Sequence, residues 1–293
     1  MAGATSHRVF HVRGRSLDLT TPKVMGILNL TPDSFSDGGR FLSKESALER
    51  VAEMAAQGAD IIDVGGESTR PGSAPVPLQT EIKRVIPLLE ELIPSFPKLI
   101  FSIDTTKLEV ARQALQCGVH ILNDVSGLQM EPELATLCGK FGAGFVLMHC
   151  KGEPRTMQIA PRYDDLFGEI ESFFLSGIRR LKEAGVTGIF LDPGIGFGKT
   201  LQHNLQVVSG LDKFSAYEYP ILIGASRKSM VGQLLDNRPV EGRLAGTLAV
   251  HYHCLLKGAR VLRVHDVQAA KDSVRIYNAV LTADSEPPKT PLD

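Results

Sequence analysis

Gly188-Ile-Phe-Leu-Asp192-Pro-Gly-Ile-Gly-Phe-Gly198-Lys199 decides how this chain is read. It opens as an apolar run of strand length, the pattern of a parallel strand covered on both faces. Asp192 sits where that strand should end. Pro193 and three alternating glycines follow, which stop the strand and let the backbone pass close to something. A carboxylate at a strand end above a permissive loop is how an α/β enzyme presents a side chain to a ligand. Two nucleotide motifs nearly fit here, and both fail. A P-loop needs glycine at the first position of GxxxxGK[ST], but Pro193 occupies it ahead of Gly198-Lys199-Thr200. The glycines also read G-x-G-x-G, without the extra residue of the dinucleotide fingerprint.

Outward from this stretch the same unit keeps returning: a short apolar run, a polar loop, then a helical pattern. The runs lie at 24–28, 61–64, 99–103, 121–123, 145–148, 188–192, 221–224 and 260–264. Helices are expected from about Ser43 to Gly58, over 78–96 with a kink at Pro87, over 107–116 up to Gly118, from near Pro132, and over 163–184. Eight such repeats in 293 residues predict an α/β fold of the (β/α)8 TIM barrel type, which takes ~250 residues. An open doubly wound sheet is the competing arrangement. Ahead of the barrel, 9–12 and 17–19 alternate around Gly14 and predict a β-hairpin. No Ser/Gly-rich linker interrupts the chain, so one domain is expected: residues 1–22 as its N-terminal hairpin and 23–283 as the barrel. Residues 284–293, with Pro287, Pro288 and Pro291, are expected to be a disordered tail.

With 43% hydrophobic residues the chain can bury a full core, and its net charge of −1 gives no global electrostatic case for nucleic acid or an anionic membrane. Cys117, Cys138, Cys150 and Cys254 form no CxxC pair and predict neither a zinc site nor a disulfide framework, so a reducing cytoplasm is expected. No apolar run reaches spanning length and no signal peptide is visible. Arg8, Arg13 and Arg15, with no acid among the first fifteen residues, have a faint transit-peptide character, but the alternation favours the hairpin.

The C-terminal ends of the strands hold the chemistry in a barrel. In strand order these positions carry Asn29, Asp63, Asp104, Asn123, Met148-His149, Asp192, Ser226-Arg-Lys228 and Arg263-Val-His265. Each alone has an ordinary explanation: an Asp caps a helix, an Asn makes a turn, a lone His is structural, an Arg forms a surface ion pair. Together they converge on one mouth if the barrel closes. Asp104, Asn123, Asp192 and Lys228 suit the edge of a flat heterocycle, with Met148 against its face. Arg263, His265 and Asn29 suit an anion, with a divalent metal beside it. Two long loops, 29–39 and 65–77, are rich in glycine, proline and hydroxyls. Phe35 in one and Arg70-Pro71 in the other read as a lid that excludes water.

These residues together resemble the dihydropteroate synthase family. The motifs are Met25-Gly-Ile-Leu-Asn-Leu-Thr-Pro-Asp-Ser-Phe-Ser-Asp-Gly38, Asp63-Val-Gly-Gly-Glu-Ser-Thr-Arg-Pro-Gly72, Ser102-Ile-Asp-Thr-Thr-Lys107 and Asn123-Asp-Val-Ser-Gly127. They continue through Met148-His149, the opening stretch, Ser226-Arg-Lys-Ser-Met230 and Arg263-Val-His-Asp266, in family order from about Val24 to about Val280. Lys151 sits where the family is less basic.

The resemblance implies a transferase of folate biosynthesis. The diphosphate of 6-hydroxymethyl-7,8-dihydropterin would condense with p-aminobenzoate to give 7,8-dihydropteroate, with pyrophosphate leaving first and the amine capturing a cationic pterin. Family roles then fall on Asp104, Asn123, Met148, Asp192 and Lys228 for the pterin, and on Asn29, Thr69, Arg263 and His265 for the pyrophosphate. Phe35, Thr69, Pro71, Phe197, Lys228 and Ser229 would shape the p-aminobenzoate site, with Asp37 and Arg70 closing the lid. The catalytic set so implied is Asp37, Arg70, Lys228, Arg263 and His265, with Asn29 on a Mg²⁺ cofactor. The resemblance also implies a homodimer through the last helices and sensitivity to sulfonamides. A corrinoid-linked methyltransferase would need the pterin edge but neither the lid motifs nor an Arg/His leaving-group site. A pterin-binding protein without a reaction would predict damage to the two loops, and the sequence has none.

Overall fold

The structure, a computed structural model, describes residues 9–30, 44–68, 73–152 and 156–283. Its first element is the hairpin β1 (Val9–Val12) and β2 (Arg15–Asp18), antiparallel with Val12 opposite Arg15. The two residues between them, Arg13 and Gly14, have φ of 44° and 72°. Positive φ at both positions is the two-residue turn whose twist matches the flanking strands. The second strand therefore starts two residues earlier than the apolar alternation indicated, because the turn needs only Arg13 and Gly14.

Eight parallel strands follow, with helices between them. They run β3 (Lys23–Asn29), α1 (Lys44–Ala56), β4 (Ile61–Gly65), α2 (Leu78–Ser95), β5 (Ile100–Asp104), α3 (Leu108–Cys117) and β6 (Ile121–Asp124). Then come α4 (Leu134–Phe141), β7 (Gly144–Met148), α5 (Leu166–Glu183), β8 (Ile189–Asp192) and α6 (Leu201–Ser209). The chain closes with β9 (Ile221–Ile223), the short α7 (Ser229–Leu234), α8 (Leu244–Leu256), β10 (Ala259–Val264) and α9 (Val267–Thr282). The strands form a closed barrel in the order β10-β3-β4-β5-β6-β7-β8-β9. An open sheet is thereby excluded.

Side chains alternate across a strand, and this positions the site. One residue from each barrel strand packs at the bottom: Met25, Ile61, Ile100, Ile121, Val146, Phe190, Leu222 and Val261. Phe10, Val12, Leu17 and Leu19 of the hairpin join the same cluster and plug the barrel from below. Phe10 and Phe190 meet with ring centroids 4.8 Å apart. Two residues further along each strand, on the same face, stand Ile27, Asp63, Ser102, Asn123, Met148, Asp192, Gly224 and Arg263. An apolar floor thus carries a mostly polar layer directly above it. The opposite strand face packs under the helices in the main core, with Phe101, Phe145 and Leu191 buried there.

Several helix boundaries differ from expectation for local reasons. α5 begins at Leu166 because Asp165 caps it, accepting from Gly168 N, and Tyr163 stays outside to donate from its hydroxyl to Gly198 O at 2.9 Å. α2 runs unbroken through Pro87 and Pro94. The expected stop Gly118 is a left-handed C-cap with φ of 112°. Residues 31–43 and 69–72, with the candidate residues Phe35, Asp37, Thr69, Arg70 and Pro71, lie outside the described residues, as does the tail 284–293. Among the described residues no helix is long and apolar enough to cross a membrane.

Candidate active site

A cavity of about 280 Å³ opens at the C-terminal mouth of the barrel. Asn29, Asn123, Met148, Asp192, Phe197, Lys228, Ser229, Arg263 and His265 line it, so most of the described candidate residues come together. Asp104 does not line it. It ends β5 in register with Asn123, almost fully buried, with one oxygen bound to Arg263.

Arg263 ties the layer together. Its Nε donates to Asp63 Oδ2 at 2.6 Å and its Nη2 to Asp104 Oδ2 at 2.7 Å. Asn123 Nδ2 donates to the same Asp63 oxygen at 3.0 Å. Burial opposes the charge on Arg263, but Asp63 and Asp104 outweigh it and hold the guanidinium more firmly protonated than usual. The sequence reading set Asp63 among the strand-end residues of the mouth but gave it no role. β4 continues to Gly65, and Asp63 points into the barrel as the buried counter-ion of Arg263. The surface ion pair weighed for Arg263 is replaced by an internal one, its side chain 17% exposed and that of Asp63 0%.

The carboxylates keep unused acceptors. Asp63 Oδ1, Asp104 Oδ1 and Ser102 Oγ are buried without a hydrogen-bond partner among the described residues. Burial raises Asp104 to about 7, against the pull of Arg263. Burial also raises Asp192, opposed by Lys228 and by the Gly194 amide, which donates to Asp192 Oδ1 at 2.7 Å. Orphaned buried acceptors are costly and fit a ligand that brings donors.

Lys228 enters from the loop after β9. Arg227 shapes that loop with φ of 55° and is fixed by two bonds to Asp266, Nε to Oδ2 at 2.8 Å and Nη2 to Oδ1 at 2.5 Å. The Lys228 ammonium donates to Ile195 O and stands 4.4 Å from the centroid of the Phe197 ring. Burial lowers it to about 8, with Asp192 pulling the other way. A buried lysine with a lowered pKa against an aromatic ring, in a cavity, marks a candidate functional group.

The opening stretch behaves as its glycines require. Gly194, Gly196 and Gly198 have φ of 69°, 81° and 64°. A side chain at Gly194 or Gly198 would meet the backbone oxygen of His149 at 1.9 Å or of Lys151 at 2.1 Å. Lys199 turns inward, 2% exposed, and donates to His149 Nδ1 at 2.8 Å. Burial and the neighbouring Lys199 charge keep His149 neutral, lowered to about 2. Sequence reasoning met Lys199 only as part of a failed P-loop and gave it no role. No local signal reports where its amine goes.

A closed parallel barrel with a polar, acceptor-rich layer at its mouth is the architecture of a (β/α)8 enzyme. Residues 25–265 match the family described as pterin binding enzyme. The chain is 46% identical over 273 residues to the dihydropteroate synthase of Escherichia coli K12, covering 92% of this chain and 96% of that one. The Yersinia pestis dihydropteroate synthase in a sulfonamide drug complex superposes with a TM-score of 0.88 at 44% identity, over 94% of this chain and 99% of the other. The Xanthomonas albilineans dihydropteroate synthase in complex with 7,8-dihydropteroate gives 0.83 at 37% identity, over 93% and 98%. The chain belongs to the dihydropteroate synthase family.

Proposed function

We propose that this chain joins 6-hydroxymethyl-7,8-dihydropterin diphosphate to p-aminobenzoate, releasing pyrophosphate and forming 7,8-dihydropteroate. The observation that carries the reading is the acceptor-rich layer under a cavity lined by Asp192, Asn123 and Lys228, in a chain whose relatives share its length and fold. The unpartnered oxygen of Asp104, with Asn123 and Asp192, suits the N–H groups of a pterin, and Met148 packs against the ring. Phe197, Lys228 and Ser229 form the wall for p-aminobenzoate, with Phe35, Thr69 and Pro71 of the long loops completing it. Asn29, Arg263 and His265 take the diphosphate at the rim, and the family resemblance assigns Thr69, Asp37 and Arg70, outside the described residues, to the same step.

The residues also fit Mg²⁺ in the way this ion binds phosphorylated substrates. Among the described residues no three acidic, histidine or cysteine groups form a metal cluster. Mg²⁺ keeps its waters and substrate phosphates and takes one or two protein oxygens. Asn29 offers one such oxygen at the cavity, and the bound ion would neutralise charge on the diphosphate. Arg263 and His265 stabilise the departing anion, and Asp192 favours the electron-poor pterin left behind. The lid residues keep water from it.

Exposed Leu256 on α8 and Ile276, Val280 and Leu281 on α9 support a homodimer through the last helices. The four free cysteines support a cytoplasmic setting. Sulfonamides, as analogues of p-aminobenzoate, compete at the same wall.

The test is formation of dihydropteroate from labelled p-aminobenzoate, the dihydropterin diphosphate and Mg²⁺, beside Lys228→Ala. Product that is lost in the variant and reduced by a sulfonamide is the expected result. Folded protein with neither product nor pterin binding by calorimetry overturns the reading.

A further inference from the structure

The loop after β8 is held by side chains at every carbonyl from Gly194 to Gly198. Lys199 Nζ donates to Gly194 O at 3.1 Å and to Phe197 O at 3.2 Å. Lys228 Nζ takes Ile195 O, Gln158 Nε2 takes Gly196 O, and the Tyr163 hydroxyl takes Gly198 O at 2.9 Å. An ordinary surface loop leaves its carbonyls to water. Here three positive-φ glycines make a ring of backbone oxygens, and the ammonium of Lys199 fills it from within.

We infer that Lys199 is a positioning residue for the reaction, acting through the loop to hold Phe197 as the fixed wall of the p-aminobenzoate side of the cavity. The inference rests on the activity proposed above and assigns a further residue to it. Lys199 itself lines no part of the cavity, whereas Gly196 and Phe197 do. Its bonds reach both sides of the loop and cross to His149 after β7, so one amine ties Phe197 to a barrel strand. The acceptors Asn123 and Asp192 stand on strands in register, and the tie reaches them only at Asp192 Oδ1, through the Gly194 amide. Cutting the tie therefore disturbs the p-aminobenzoate side, where Phe197 is held directly, more than the strand-borne pterin side.

Two measurements on Lys199→Met test this. Steady-state kinetics should show KM for p-aminobenzoate raised about tenfold or more, since an ångström of misplacement is costly. KM for the dihydropterin diphosphate should stay within about threefold. Equal change in both KM values overturns the inference, and so does a change in kcat alone, which loss of folded protein would produce. Hydrogen–deuterium exchange gives a readout independent of any activity. The amides of Gly194, Gly196 and Phe197, each hydrogen-bonded in the native loop, should exchange faster in the variant, while those of β7 and β8 should not. Unchanged exchange in the loop overturns the inference even if the enzyme makes no dihydropteroate, a result that would count separately against the proposed reaction. Gln158→Ala, an exposed change that removes the outer bond on Gly196 O, should give the same split more weakly if Lys199→Met does not fold.

Discussion

Replacing Asp63 by alanine isolates the ion that the layer is built around. Asp63 is fully buried, and its Oδ2 takes both Arg263 Nε at 2.6 Å and Asn123 Nδ2 at 3.0 Å. Removing one partner of a buried pair costs about 3–5 kcal/mol, because the other charge is left behind. Arg263 keeps Asp104 at 2.7 Å and some exposure to the cavity, which puts its share at the lower end, about 3 kcal/mol. Asn123 loses an acceptor, for about 1 kcal/mol more. With a urea slope near ~3 kcal/mol/M, the denaturation midpoint should fall by about 1 M or slightly more. Asp63→Asn keeps an acceptor without the charge and should fall roughly half as far. The double variant Asp63→Ala with Arg263→Met removes both charges together, so its loss should be smaller than the sum of the single losses by about 2 kcal/mol. A midpoint for Asp63→Ala within about 0.3 M of the parent, or strict additivity in the cycle, refutes the pairing.

Gly194→Ala places a methyl group 1.9 Å from His149 O at a φ of 69°, and should cost about 3 kcal/mol or more in a urea titration. Gly185→Ala, with φ of 82° and nothing within 4 Å, isolates the backbone strain and should cost only about 1 kcal/mol. His251 is fully buried, with neither ring nitrogen hydrogen-bonded among the described residues, so His251→Leu should stabilise the fold by about 1–3 kcal/mol. Burial lowers His251 from 6.5 to about 4, so the unfolded chain takes a proton in that window that the folded chain refuses. Stability carried by the neutral ring is present above pH 6.5 and lost as pH falls towards 4. The leucine variant should lose less by up to about 1.4 kcal/mol per pH unit across it, and thermal melts at pH 7 and pH 5 would check this.

The barrel was legible because its evidence is periodic. Each apolar run announces a strand, and the residue at its C-terminal end belongs to the mouth, which is how Asn123, Met148, Asp192 and Arg263 were found from the sequence. Asp63 stands among those strand-end positions too but received no role, because its partner Arg263 lies 200 positions away in sequence. The bonds that matter most are not periodic. Asp104 and Arg263 meet across 159 positions of sequence, and Lys199 finds His149 across 50. Tyr163 shows the same limit from the helix side. Its spacing fits α5, yet a cap at Asp165 and a carbonyl at Gly198 hold it outside.

Formal charge explains why the floor and the rim of one cavity suit different parts of a substrate. Within the strand layer itself Asp63, Asp104 and Asp192 stand against Arg263 and Lys228, one negative charge in excess before Lys199 of the neighbouring loop is counted. That excess lies in low dielectric, and burial answers it by raising Asp104 to about 7 and Asp192 as well. One proton would bring the layer to neutrality. A ring that aims N–H groups at the unpartnered oxygens does part of that proton's work without being acidic. An anion at the same depth would add to the excess and meet acceptors where it needs donors. The layer therefore selects a donor-rich heterocycle at the floor. Under the proposed reaction it leaves the diphosphate to the rim, which Asn29, Arg243, His265 and the cavity-facing part of Arg263 line.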